Sequence, residues 1–122
     1  MRPTWKVVGV EPIFTVADID DSVSHYERLG FTTSRRNTTY AFAHRDRLVI
    51  HLAQADRESP RAIGSIYLHV DDADVLADEW RRAGLNVVGP NDCDYSKREG
   101  SHRDPDGNVL RFGSPLRPRR LN

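Results

Sequence analysis

Two copies of one α+β plan, packed as a single domain, are what this sequence predicts. Three observations carry that reading. The segment Glu11 to Asp18 returns as Ser65 to Asp72, an offset of 54 residues, and both copies are apolar runs closing on Val-x-Asp. The same offset, with no gap, sets Tyr26 against Trp80, Arg28 against Arg82, Gly30 against Gly84 and Phe31 against Leu85. In both copies a helical period follows a strand period, the alternation expected of α+β architecture. The whole chain is 122 residues long, room for one ordinary domain and not two.

Each copy reads as strand, acidic turn, helix, glycine stop, strand. In the first helix Val23, Tyr26 and Leu29 recur at i, i+3 and i+6; in the second Leu76, Trp80 and Ala83 recur at i, i+4 and i+7. Each is one apolar stripe on an otherwise polar helix. Asp20 and Asp21 open the first helix, and Asp71, Asp72 and Asp74 the second, where carboxylates complement the dipole and cap free N–H groups. Arg28 and Arg82 fall in the last turns, and Gly30 and Gly84 suit a left-handed C-terminal stop. Beyond the first helix, 38–44 and 47–53 flank a polar Arg45-Asp46 turn and predict a hairpin. Beyond the second, 86–88 leads into an irregular stretch at 89–97, then a strand at 98–103, a tight turn at 104–108 and a last strand at 109–113. Module 1 is expected at about 8–55, a linker at about 56–63, module 2 at about 64–114 and a basic tail at 115–122.

Composition narrows the function classes. Lys and Arg total 18, as do Asp and Glu, so net charge is zero and no basic stripe argues for nucleic acid. The one basic cluster, Arg117, Arg119 and Arg120, reads as a solvated tail. Cys93 stands alone, so no internal disulfide demands an oxidising compartment, and no apolar run approaches the ~20 residues of a membrane span. Its neighbours Asp92 and Asp94 make it a poor nucleophile. The expectation is a cytoplasmic protein that engages neither membrane nor nucleic acid.

Two stretches resemble a known family. Thr15-Val16-Ala17-Asp18, a helix carrying Tyr26, and Leu29-Gly30-Phe31 are similar to the opening of the glyoxalase/bleomycin resistance/dioxygenase (vicinal oxygen chelate) superfamily. Arg98-Glu99, followed by Asp104-Pro105-Asp106-Gly107-Asn108, resembles its bleomycin-resistance branch, although Tyr95, Ser96 and Gly100 depart from that pattern. The turn alone would be weak, since any tight turn favours these residues. At this distance from Arg-Glu, inside a duplicated chain, it is specific. The resemblance covers about residues 8 to 114. It implies two βαβββ modules whose half-sheets curve around a shared cavity, assembled as a homodimer. It leaves function open between metal-dependent isomerases or dioxygenases and metal-free proteins that sequester antibiotics.

The metal positions implied by the resemblance fall on Glu11, His51, Ser65 and Arg111. Glu11 and His51 suit a divalent ion; serine is a poor ligand and a guanidinium repels the metal. The expectation is therefore no metal and no cofactor, with Glu11 and His51 as ligands, helped by a neighbour such as His69, only under the enzymatic alternative. Period-two alternation puts the mixed sets of strand residues, including His51, Tyr67, His69 and Arg111, on the concave side and the purely apolar sets under the helices. Arg111 either pairs with Glu11 or faces a ligand carboxylate or phosphate. Flat rings favour a planar or antibiotic-like small molecule. The expected ligand-binding residues are Glu11, Tyr40, Phe42, His51, Tyr67, His69, Tyr95, Arg98, His102 and Arg111, with no catalytic residue. His25 and His44 are expected at the surface.

Overall fold

A computed structural model describes residues 4–56 and 62–116. Most of the basic tail (117–122) and of the linker (57–61) lie outside them. The first module contains β1 (Ile13–Val16), α1 (Ile19–Arg28), β2 (Thr32–Asn37), β3 (Tyr40–Arg45) and β4 (Leu48–Gln54). The second contains β5 (Ser65–His69), α2 (Ala73–Arg82), β6 (Val88–Cys93), β7 (Lys97–Arg103) and β8 (Val109–Pro115). Each forms its own four-stranded sheet, ordered β1-β4-β3-β2 and β5-β8-β7-β6. The first strand runs parallel to the last, and the remaining pairs are antiparallel. The duplication reaches the register: Ile13 sits opposite His51 just as Tyr67 sits opposite Arg111.

Local chemistry sets the helices. Asp18 accepts a hydrogen bond from Asp21 N at 3.0 Å, and Asp72 accepts from Asp74 N and Val75 N at 3.1 Å. Both helices stop at a glycine with positive φ, 97° at Gly30 and 78° at Gly84. Under α1 lie Phe14, Val16, Ile50 and Leu52; under α2 lie Leu110 and Phe112. The opposite face of each sheet carries no helix.

The two modules are joined by polar contacts at the edges of this core. Trp80 Nε1 donates to Leu29 O at 2.8 Å, and Tyr26 Oη donates to Asp104 at 2.8 Å. Asp104 is 4% exposed, and its oxygens also accept from Asp106 N, Asn108 N and the Asn108 amide. Asn108 in turn accepts from Gly64 N and donates to Thr15 O. The Asp104–Asn108 turn is therefore a joint between modules, which explains why it needs those two side chains.

Two expectations are corrected. The irregular stretch at 89–97 is largely strand β6: pairing with β7 overrides weak local propensity, and Pro90 sits inside the register break between Val88 and Asn91, where no ladder N–H is required. His25 is buried rather than superficial, because α1 packs against β7 of the other module.

Candidate functional site

The uncovered sheet faces gather most of the side chains singled out above. On the first sheet Ala41, Ala43, Ile50 and Leu52 point under α1, so Tyr40, Phe42 and His51 point to the open side. Phe42 lies opposite His51 in register and Tyr40 opposite Ala53. Glu11, just before β1, reaches the same place. A carboxylate only accepts, so His51 Nε2 carries a proton and donates to Glu11 Oε1 at 2.7 Å. Nδ1 then accepts from Tyr40 Oη, also at 2.7 Å. The Phe42 ring stands edge-on to His51 with centroids 4.8 Å apart, which fixes the imidazole plane.

The second sheet turns Ser65, Tyr67, His69 and Arg111 to its open face, with Glu99 from β7 beside them. Glu99 accepts from Tyr67 Oη, Tyr95 Oη and, at 3.3 Å, Cys93 Sγ. The two tyrosine bonds hold its carboxyl below the usual carboxylate range. In return Tyr67 is pushed up to about 12, by desolvation and then by Glu99, and Tyr95 to about 12, chiefly by its bond to Glu99. The same carboxylate raises the Cys93 thiol, which removes it as a nucleophile at neutral pH. Glu99 was missed in the sequence because it follows Arg98 in a familiar pair; strand alternation was the signal that could have separated them.

Arg98 and His102 do not join these faces. Arg98 lies on the helix side, donating to Asp74 at 2.7 and 3.0 Å and to Asp92 at 2.9 Å. Because Glu99 takes the open side, its neighbour must take the other. His102 is 1% exposed and hydrogen-bonded to His25 and Asn86 O. Tyr95 is 64% exposed and sits in the β6–β7 turn. Glu11 meets His51 rather than Arg111. A cavity of about 690 Å³ lies elsewhere, between the β3–β4 turn and α2, walled by Leu29, Phe31, Leu48, Leu76 and Trp80. Of the expected residues it touches Tyr67 and His69.

The positions implied for a metal do not fit one. Both His51 nitrogens are engaged, one by Glu11 itself. Ser65 and Arg111, on the other sheet, offer a hydroxyl and a guanidinium, neither of which suits a divalent ion. Among the described residues no three His, Cys, Asp or Glu side chains cluster as ligands. No described helix is long and apolar enough to cross a membrane.

Solved structures with the same fold include a bleomycin-binding protein complexed with bleomycin (TM-score 0.77, 21% identity, 88% of this chain and 98% of that one). A bleomycin resistance determinant encoded on the transposon Tn5 aligns with TM-score 0.79 at 21% identity, covering 89% and 98%. A lactoylglutathione lyase from Agrobacterium tumefaciens aligns with TM-score 0.69 at 16% identity, covering 88% and 94%. Identities this low speak for the fold alone, and the neighbours include a lyase as well as a bleomycin-binding protein. No curated protein matches by sequence. The family model of the Glyoxalase/Bleomycin resistance protein/Dioxygenase superfamily matches residues 9–112. The chain belongs to that superfamily.

Proposed function

We propose that this chain binds and sequesters a planar, antibiotic-like small molecule in the cytoplasm, without metal-dependent catalysis, in a crevice lined by two copies. One observation carries the reading. Each sheet leaves a whole face uncovered, and those faces hold rings with a few polar anchors: Tyr40, Phe42 and His51 on one, Tyr67, His69 and Arg111 on the other. Such a mixture is what small-molecule sites use, apolar area for affinity and sparse polar groups for orientation. The mismatched donor set supports the absence of a divalent centre. Zero net charge separates this chain from an acidic trap for a cationic antibiotic, so the ligand need not be bleomycin.

Thermal-shift screening of planar and antibiotic-like compounds, bleomycin included, tests the reading. A ligand at about 100 times its Kd stabilises the fold by about 2.7 kcal/mol. Phe42→Ala and Arg111→Met are expected to weaken that ligand at least about tenfold, each by more than about 1.4 kcal/mol. Stoichiometric Zn, Ni, Mn or Fe in purified protein, lost with His51→Ala, would instead establish the metal-dependent enzyme.

A further inference from the structure

The open face of the first sheet holds an arrangement that ligand sequestration does not require. We propose that Glu11, His51 and Tyr40 form a metal-free relay that makes the Tyr40 hydroxyl a nucleophile toward acyl-type electrophiles, such as activated esters and their sulfonyl analogues. The order of the groups is that of a hydroxyl, an imidazole and an orienting carboxylate, each within hydrogen-bond reach of the next. Tyr40 Oη lies 2.7 Å from His51 Nδ1, and His51 Nε2 lies 2.7 Å from Glu11 Oε1. Glu11 fixes the tautomer, so the nitrogen facing the phenol is the one with a free lone pair. Phe42 holds the ring plane, and backbone pairing of His51 N with Pro12 O at 2.9 Å ties the strand to the segment that carries Glu11. The Arg36 guanidinium lies 5.7 Å from the Tyr40 ring centroid, where it favours the negative charge that develops as the proton leaves.

The step balances without a cofactor. An Oη lone pair attacks the electrophilic carbon, the Oη proton passes to His51 Nδ1, and Glu11 stabilises the imidazolium. The bond to the leaving group then breaks, the leaving group departs with its electron pair, and His51 returns the proton to it or to water; with a sulfonyl fluoride the new bond is to sulfur, the S–F bond breaks and fluoride leaves. Tyr40 is the group that touches substrate, His51 the base, and Glu11 a positioning residue.

The second sheet supplies an internal contrast. Tyr67 and Tyr95 also donate to a base, yet theirs is Glu99, a carboxylate held below its usual range and unable to take up a proton near neutrality. Tyr40 thus differs in partner from Tyr67 and Tyr95, and the difference predicts reactivity. His51 and Glu11 are also two of the four positions that resemblance assigns to a metal. Here they bond to each other and to a phenol.

The full-length chain, in EDTA, is treated with phenylmethylsulfonyl fluoride, and the modified peptides are located by mass spectrometry. Sulfonylation of Tyr40 with loss of fluoride is expected to outpace that of Tyr67 and Tyr95 by at least about tenfold, and His51→Gln is expected to slow it about 100-fold. Glu11→Gln should give a smaller fall in the same direction, and it decides the matter if His51→Gln lowers the melting temperature. Equal labelling of the three tyrosines, or a Tyr40 rate unmoved by Glu11→Gln in folded protein, overturns the relay. The assay needs no natural ligand, so its result is separate from that of the ligand screen.

Discussion

Gly113 lacks a side chain because Tyr67 passes over it. From β5 the Tyr67 ring crosses β8 to reach Glu99 on β7, and a Cβ at position 113 would overlap the tyrosine hydroxyl and ring. Gly113→Ala is therefore expected to push Tyr67 off Glu99 and destabilise the fold by about 1–3 kcal/mol, the range for overfilling a packed position. Urea denaturation measures the loss, and Tyr67→Phe in the same background should recover part of it by removing the hydroxyl that clashes. A cost below about 0.5 kcal/mol would show that Tyr67 has free room. At this scale the sequence was readable wherever parity along a strand decides the matter. Tyr40, Phe42, His51, Tyr67, His69 and Arg111 all turn to the uncovered faces that a period of two assigns them. Motif resemblance draws Arg98 and His102 into the ligand set, whereas parity places both beneath α2, opposite Glu99. What no pattern could supply was the partner of each polar group. Glu11 and His51 are 40 residues apart, and the sequence allowed Arg111 as readily as His51.

Helix α1 meets strand β7 of the other module through two histidines. His102 Nδ1 donates to Asn86 O at 2.6 Å, which leaves its Nε2 to accept from His25 Nε2 at 2.8 Å. A proton on His102 Nε2 would oppose this bond, so that ring is neutral, and burial disfavours a charge on His25. Burial, then the neighbouring His102, lowers His25 to about 4, and burial lowers His102 despite its bond to Asn86. Asp104 lies close enough to oppose part of the shift, and Arg28 adds to it on His25. The unfolded chain binds these protons near pH 6.5 and the folded chain only at lower pH, so the folded state is penalised as pH falls through that window. Stability present above pH 6.5 should therefore decline as pH falls toward 4, by on the order of 2 kcal/mol for His25. Urea titrations across this range check the sign, and His25→Gln, which keeps a donor toward His102, should flatten the decline. A flat profile in the native sequence would mean that one ring is already charged. The sequence hid this contact for a physical reason. His25 flanks the apolar stripe of α1, and only the packing of one module on the other turns that flank into interior.

Across the whole molecule the duplication leaves an imbalance between covered and uncovered surface. Each sheet has a helix on one side only, and the apolar segment ahead of β1 is left exposed. Trp5 is 72% exposed, Val8 99% and Val10 84%, and no atom lies within 4 Å of where a Cβ on Gly9 would be. Adjacent apolar residues left this bare are expected to form an association surface, and a second copy is the partner to test first, since every solution of this protein contains it. Burying a valine contributes about 2 kcal/mol. Val8→Lys with Val10→Lys therefore removes about 4 kcal/mol per arm, which weakens a pair at least about a thousandfold. Sedimentation velocity at micromolar concentration should show a dimer for the native chain and a monomer for the double variant. If the crevice is shared between copies, ligand affinity falls with the dimer, and diluting the native protein through its dissociation range lowers affinity in step. Binding that survives in the monomeric variant would assign the site to one uncovered sheet of a single chain. The pairing would then serve stability alone, by covering the arm that folding leaves exposed.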